Sequence, residues 1–431
     1  MDTVLARIAA LHPREIDLSL DRVARLLDAL GRPQDRLPPV IHVAGTNGKG
    51  SVIAFLAAMA RAQGLRAHVF TSPHLVTFNE RITLAGAPVT DAELADLAAR
   101  CETANAGAPI TVFEFITAMG FLAFAEHEAD LALVEVGLGG RADATNVLPA
   151  PEVTVITSIG RDHERFLGAD LAGIAGEKAG ILKSHVPAVF GPQPPEAEPA
   201  LRQAAHRVGA PYQAYGEHFH ARLEGGRLVV ERDDRLLDLP PPGLIGPHQV
   251  GNAATAVVAA LALGRVSDAA IADGVRSARW PGRFHPLPPG PLTALAGENA
   301  DVWVDGAHNP DGARALATAL AELDARDPRL LAMVMAVSTG KDVDGLIAPF
   351  VGLTRTIVGF PLDTKDRGVA PDDIAARARQ AGVADTAGAN SLEDAVARAR
   401  AGVGPGPVRL MICGSLYGVG AALARNTAPK A

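Results

Sequence analysis

Gly45-Thr46-Asn47-Gly48-Lys49-Gly50-Ser51 packs three glycines, a lysine and, at its end, a serine hydroxyl into seven residues, just after the strand-like run Val40 to Val43. Glycines let a backbone turn tightly and aim its amides at a phosphate, and a helix starting there adds partial positive charge. Lys49 is placed to reach β- and γ-phosphates, and Ser51 to coordinate Mg²⁺. One glycine separates the lysine from the serine, so the spacing departs from G-x-x-x-x-G-K-[ST]. An ordinary glycine turn between strand and helix is the alternative. The lysine and hydroxyl at the helix start favour a nucleotide-phosphate site.

Further unusual strings stand at the ends of apolar runs, where open α/β sheets place their ligands. They are Ser72-Pro73-His74-Leu75, Phe78-Asn79-Glu80-Arg81-Ile82, Thr111-Val112-Phe113-Glu114-Phe115 and the long string from Glu135-Val136-Gly137 to Gly140-Arg141-Ala142-Asp143-Ala144-Thr145-Asn146. Asp162-His163 and Glu177-Lys178-Ala179-Gly180-Ile181 follow, and much later Asp305-Gly306-Ala307-His308-Asn309-Pro310.

The elements that must carry these strings read as an α/β fold. Val40 to Val43, Ala67 to Phe70, Leu131 to Val136, Val153 to Ile156 and Ala188 to Phe190 are apolar on both faces, as central parallel strands are. A helix is expected from Ser51 to Ala62. Arg222 to Val230 reads as a hairpin with a glycine turn, a small antiparallel appendage. Helical patterning resumes over His248 to Leu263 and Ser267 to Ser277. Pro281, Pro286, Pro288, Pro289 and Pro291 then read as a stiff linker. Beyond it, Val302 to Val304, Leu330 to Met335, Thr356 to Val358 and Val408 to Ile412 form a second strand series. Two domains are therefore expected: residues 1–284, a P-loop-type parallel sheet with helices on both faces, and 285–431, a smaller Rossmann-like α/β domain.

Lys and Arg number 40 against 48 Asp and Glu, a formal charge of −8 over 431 residues. That disfavours nucleic acid and anionic membrane surfaces as partners. No apolar stretch approaches the ~18 residues of a membrane span, and two cysteines, Cys101 and Cys413, fit a reducing cytoplasm.

Taken in order, from about Ile16 to Tyr417, these strings resemble the folylpolyglutamate synthase and dihydrofolate synthase family within the ATP-dependent Mur ligases. The Glu135–Asn146 and Asp305–Pro310 strings carry most of the specificity. The resemblance implies that ATP phosphorylates a carboxylate, and that the amine of L-glutamate attacks the acyl phosphate. Positioning and charge stabilisation are then the protein's contribution. By the resemblance, Ser51, Ser72 and Glu135 hold a first Mg²⁺, and His163 and Lys178 serve a second. An ammonium cannot ligate a cation, and the family's carbamylation of this lysine would resolve that. The sequence leaves open whether Lys178 is modified or is an ion-paired lysine on a helix surface. Asp305 is expected at the ribose, His308 near the phosphates and Asn252 near the adenine. Arg283 is expected on a phosphate from the linker, with a solvated surface position as its alternative. The ATP site is expected between the two domains, with Lys49, His163, Lys178 and His308 as the catalytic set. Arg161 stands where the family carries an apolar residue, either to bind a substrate carboxylate or to face solvent.

The stretch Glu15 to Val23 resembles the loop that covers the pterin of dihydropteroate in bifunctional members, although Asp17 could instead cap the following helix. Thr111, Phe113, Asp143 and Ala144 correspond to the same pocket, with Asp143 as acceptor of pterin N–H groups. Arg81 and Arg141 join the folate site, and with Lys49, Arg283 and Lys341 form a cationic patch for anionic substrates. The expected partners are dihydropteroate, reduced folates and L-glutamate, and a monomer is expected. Only 44 residues precede Gly45, so the UDP-sugar domain of peptidoglycan-building relatives is not expected. A nucleotide switch without ligase activity would have no use for the Asp305–Pro310 string.

Overall fold

Every residue of the strand that feeds the glycine loop is buried, and so is every residue of the strands on either side of it. The computed structural model describes residues 1–11, 17–233, 235–362 and 368–427. Glu15 and Ile16, at the head of the Asp17 stretch, lie outside the described residues. The chain divides into two compact units, Met1–Gly243 with Gln249–Arg279, and Leu244–His248 with Trp280–Ala431.

Among the described residues the main sheet of the first unit has eight strands: β1 (Val40–Ala44), β2 (Ala67–Phe70), β3 (Ile82–Leu84), β4 (Ala87–Pro88), β5 (Leu131–Glu135), β6 (Val153–Ile156), β7 (Ala188–Phe190) and β8 (Tyr212–Ala214). Their order is β4-β3-β2-β5-β1-β6-β7-β8. Pairing is parallel from β2 through β8 and antiparallel only at β3 and β4. Apolar cores lie against both faces, one around Phe70, Phe115, Phe121 and Val134, the other around Ala44, Ile156, Ile174 and Phe190. That is why these strands read as mostly apolar runs rather than alternating ones.

The phosphate-loop helix runs Lys49–Ala62, two residues earlier than expected, because Gly48 with φ of 93° supplies the left-handed entry. The helix Asp268–Ser277 crosses it at Met59, where Gly274 leaves room for the backbone. The appendage is a three-stranded sheet, β9 (Phe219–Glu224), β10 (Arg227–Arg232) and β11 (Arg235–Leu239). Gly225 and Gly226 both have positive φ, as the tight turn between β9 and β10 demands.

The second unit carries β12 (His285–Pro286), β13 (Ala300–Val304), β14 (Leu330–Met335), β15 (Thr356–Gly359), β16 (Asp385–Gly388) and β17 (Val408–Cys413), in the order β12-β13-β17-β14-β15-β16. It is parallel except for β12. The proline cluster is not a linker. His285 and Pro286 pair with Val304 and Trp303, Phe284 is in the core of this unit, and Pro291 begins the helix Pro291–Ala296. The boundary consequently falls at 279/280 rather than 284/285, and Leu244–His248 also groups with the second unit. A proline on an edge strand can turn the side that lacks an N–H away from its one neighbour, so proline content alone does not separate edge from linker.

Candidate active site

β2, β5, β1 and β6 are consecutive neighbours in the sheet. The loops leaving their C-terminal ends are Thr71–Arg81, Val136–Asn146, Gly45–Gly48 and Thr157–His163. Four of the strings therefore meet at one edge of one sheet, the position where parallel α/β sheets bind ligands.

The phosphate loop is clamped to the end of β6. Thr46 N and Asn47 N both donate to Ser158 O, at 2.9 and 3.1 Å. Thr46 Oγ1 donates to Gly160 O and accepts from Gly160 N, each at 3.0 Å. Gly45 has φ of 149°, and a Cβ there would overlap Thr157 Oγ1; a Cβ on Gly48 would meet Asn252 Oδ1 at 2.5 Å. Asn252 is thus packed on the phosphate loop itself, and its Nδ2 donates to Gln249 Oε1 at 3.0 Å. Gln249 in turn donates to the buried Ser51 Oγ at 3.3 Å. Gly50 lies in the first turn of the helix. Gly45→Ala is expected to destabilise the protein by roughly 1–3 kcal/mol through overpacking and to abolish ADP binding. Thermal unfolding with and without ADP reads both effects.

Two lysine ammonium groups converge on one carbonyl. Lys49 Nζ donates to Gly45 O at 3.1 Å and to Thr46 O at 3.4 Å, and Lys178 Nζ donates to the same Gly45 O at 3.0 Å. Lys178 is buried, so its surface-lysine alternative does not hold. Burial, with the charge of Lys49 second, pushes its amine down to about 7; Asp162 and Asp143 oppose that shift. Its helix, Leu171–Lys178, is fixed against the Val136–Asn146 loop. Arg141 N donates to Glu177 O at 2.8 Å, and Asn146 Nδ2 bridges Arg141 O and Gly180 O at 2.9 and 3.1 Å. A Cβ on Gly140 would meet Lys178 O at 2.7 Å.

Glu135 is buried, with Oε1 3.8 Å from Lys49 Nζ and Oε2 accepting from Ser72 N at 3.4 Å. Among the described residues no three His, Cys, Asp or Glu side chains converge as a closed metal cage. The donors offered, a buried carboxylate and the hydroxyls of Ser51 and Ser72, suit a hard ion that keeps waters and phosphate oxygens as further ligands, which is Mg²⁺ behaviour. His163 is in the left-handed region at φ of 53°, with Nε2 4.0 Å from Asp162 Oδ2. Arg161 is exposed.

A second cluster forms where the helix Val112–Glu126 begins. Thr111 and Glu114 cap that helix reciprocally: Glu114 N donates to Thr111 Oγ1 at 3.3 Å, and Thr111 N to Glu114 Oε2 at 2.8 Å. Arg22 joins the buried Glu114 (2.8 Å to Oε1) to Asp17 (3.2 Å to Oδ2). Asp17 is therefore not a helix cap; the helix Asp21–Ala29 starts after Leu20. The Phe113 ring lies flush on Gly137, where any Cβ would overlap it. Asp143 and Ala144 are buried in the same loop. Asp143 accepts from Leu138 N at 2.8 Å, Thr145 N at 3.0 Å and Thr145 Oγ1 at 2.5 Å. Burial raises its pKa against the pull of those donors. Expected as an acceptor for pterin, this carboxylate is first of all closed on its own loop, and a pterin N–H would share Oδ2 with Leu138.

Arg81 and Arg141 stand apart in their contacts. Arg81 Nε donates to His74 Nδ1 at 2.9 Å, with its guanidinium 5.4 Å from the Phe78 ring centre. Arg141 is exposed and pairs with Glu177 at 3.3 Å, on the Lys178 helix. Sequence reasoning missed Arg22, Glu114, Gln249 and Ser158. Of these, Glu114 had a readable signal, the Thr-x-x-Glu capping pattern.

In the second unit, Asp305 is buried and accepts from Phe284 N at 2.9 Å and Ala307 N at 2.7 Å. Burial raises its pKa, opposed by Arg283. Arg283 is half-buried across Gly306, not solvated. His308 Nδ1 is 2.8 Å from Gly306 O, so Nδ1 carries a proton. Asn309 caps the helix Pro310–Arg326 through Gly312 N at 2.8 Å. Lys341 follows β14, with its amide donating to Ser338 O.

The Mur ligase middle domain matches residues 43–260, and the Mur ligase, glutamate ligase domain matches residues 292–416. The dihydrofolate synthase/folylpolyglutamate synthase of Bacillus subtilis (strain 168) is 39% identical over 316 residues, 69% of this chain and 71% of the relative. Escherichia coli FolC in complex with DHPP and ADP superposes with a TM-score of 0.88 at 31% identity, over 98% of this chain and 96% of that one. A bifunctional folylpolyglutamate synthase/dihydrofolate synthase with Mn, AMPPNP and L-glutamate bound gives 0.84 at 29% identity, over 97% and 96%. With that identity, that coverage and the clamped phosphate loop in hand, the chain belongs to the dihydrofolate synthase/folylpolyglutamate synthase family of Mur ligases.

Proposed function

We propose that the residues gathered at the β2-β5-β1-β6 edge carry out ATP-dependent ligation of L-glutamate to dihydropteroate and to the γ-carboxylate of folates. The activity is that of the family, whose structures bind ADP, AMPPNP, Mn and L-glutamate. The observation that carries the residue-level reading is the convergence of Lys49 and Lys178 on Gly45 O, beside the buried Glu135. The Lys49 ammonium, held at the loop beside a second lysine amine, is a place for phosphate charge.

On this reading the loop Gly45–Ser51 cradles the nucleotide phosphates, and Lys49 swings from Gly45 O to the γ-phosphoryl group as it moves to the acceptor carboxylate. Ser51, Ser72 and Glu135 hold a divalent ion that screens phosphate charge. His163 and Lys178 serve a second ion, Lys178 as its carbamate; its burial beside Lys49 favours the uncharged amine that can take up CO₂. The acyl phosphate is then attacked by the glutamate amine, the amide C–N bond forms, and inorganic phosphate leaves. Asp17, Thr111, Phe113, Asp143 and Ala144 line the acceptor pocket, with Arg81 and Arg141 on substrate carboxylates. Asn252, Arg283, Asp305 and His308 serve the nucleotide. We also infer a monomer working in the cytoplasm.

ATP turnover should depend on both co-substrates. Phosphate release is expected to rise at least tenfold when glutamate and dihydropteroate are added together; equal release without either would contradict the ligase reading.

A further inference from the structure

Beneath the Val136–Asn146 loop a buried polar chain runs to Asp143 through two residues, His42 and Thr145, that have no role in the scheme above. His42, on β1, is wholly buried, and its Nε2 is 2.9 Å from Thr145 Oγ1. That hydroxyl is 2.5 Å from Asp143 Oδ1. A carboxylate only accepts, so Thr145 gives it the hydroxyl proton. The hydroxyl oxygen must then accept from His42, which fixes the ring as its Nε2–H tautomer. Nδ1 is left bare and has no hydrogen-bond partner among the described residues, as expected of a ring whose one proton is used on the other side. Burial, with Lys183 second, pushes the imidazole down to about 3, so the ring stays neutral near pH 7.

The chain ends where the acceptor pocket begins. Asp143 Oδ2 holds Leu138 N at 2.8 Å, and the adjacent Gly137 is the residue on which the Phe113 ring lies. β1 therefore has two outputs: its end delivers the phosphate loop, and its His42 side chain braces the opposite wall of Phe113. We infer that His42 is a positioning residue for the acceptor substrate, acting through Thr145 and Asp143 to hold Gly137 against Phe113. This rests on the acceptor-pocket reading proposed above.

Steady-state kinetics with dihydropteroate, ATP, Mg²⁺ and glutamate tests it. Thr145→Val and His42→Leu should each raise KM for dihydropteroate about tenfold, the loss of one buried hydrogen bond, and leave KM for ATP unchanged. Thr145→Ser and His42→Gln, which keep a hydroxyl and a donor at the Nε2 position, should stay within about threefold of wild type. The double variant should be no worse than Thr145→Val alone, because both act through one chain. An unchanged KM for dihydropteroate in Thr145→Val, or equal loss of kcat in all four single variants, overturns the inference. Phe113→Ala separates it from the reading beneath. If Phe113→Ala raises KM and Thr145→Val does not, only the role of His42 fails; if neither does, the acceptor pocket fails too. Should the variants not fold, nitrogen NMR of the wild-type protein decides. A protonated Nε2 and bare Nδ1 on His42 from pH 8 to 5 support the chain, and an Nδ1–H or titrating ring overturns it.

Discussion

Lys49→Ala is expected to lower glutamate ligation by roughly 10²–10³-fold, the scale lost when one preorganised donor to a developing oxyanion is removed. The fold should survive. Lys49 donates to two loop carbonyls, and Gly45 O keeps Lys178 as a donor. Removing Lys49 relieves its repulsion with Lys178 but leaves the buried Glu135 without the ammonium 3.8 Å away, so the two effects oppose and the thermal midpoint should shift little. Ligation measured alongside the melting curve checks both. Full activity in a folded Lys49→Ala variant would show that the glycine loop is only a turn.

Lys178→Met is expected to have a comparable effect by another route. The side chain keeps most of its volume in its buried site, so the core is conserved, while the group proposed for a second ion is lost. Ligation should fall at least ~10²-fold, and raising Mg²⁺ should not restore it. A stability signature accompanies the loss. The amine sits near 7 in the folded protein against 10.5 ordinarily. Between those values the unfolded chain holds a proton that the folded chain has released, so raising pH through this window stabilises the fold; below about 7 both forms are protonated and the burial penalty is fully felt. In metal- and bicarbonate-free urea unfolding, wild type should gain stability from pH 7 to 9, and Lys178→Met should lack that gain. Identical pH dependence in the two proteins would sink the buried-amine assignment.

The central strands were readable because burial on both faces leaves them mostly apolar: Val40–Ala44 has only His42, and Leu131–Glu135 only its terminal Glu135, as polar members. β16 was not readable, because Asp385-Thr386-Ala387-Gly388 is a short, partly exposed edge strand whose pairing with β15 comes from the sheet and not from its composition. β12 was concealed by its proline. The phosphate loop was legible for the opposite reason, since its glycines and lysine have a local geometric purpose. What no local pattern could show is contact across long sequence separations. Arg22 reaches Glu114 across 92 residues, Lys178 reaches Gly45 across 133, and His42 reaches Thr145 across 103. A lone histidine in an apolar strand and a lone lysine at a helix end carry no signal until the sheet brings their partners to them.

Ligation to two acceptors addresses the proposed chemistry most directly. Labelled L-glutamate, ATP and Mg²⁺ are offered with dihydropteroate in one reaction and with a reduced folate monoglutamate in another, using the full chain. Label should enter both acceptors in step with one inorganic phosphate released per amide formed. Phosphate release without label in either acceptor would contradict it.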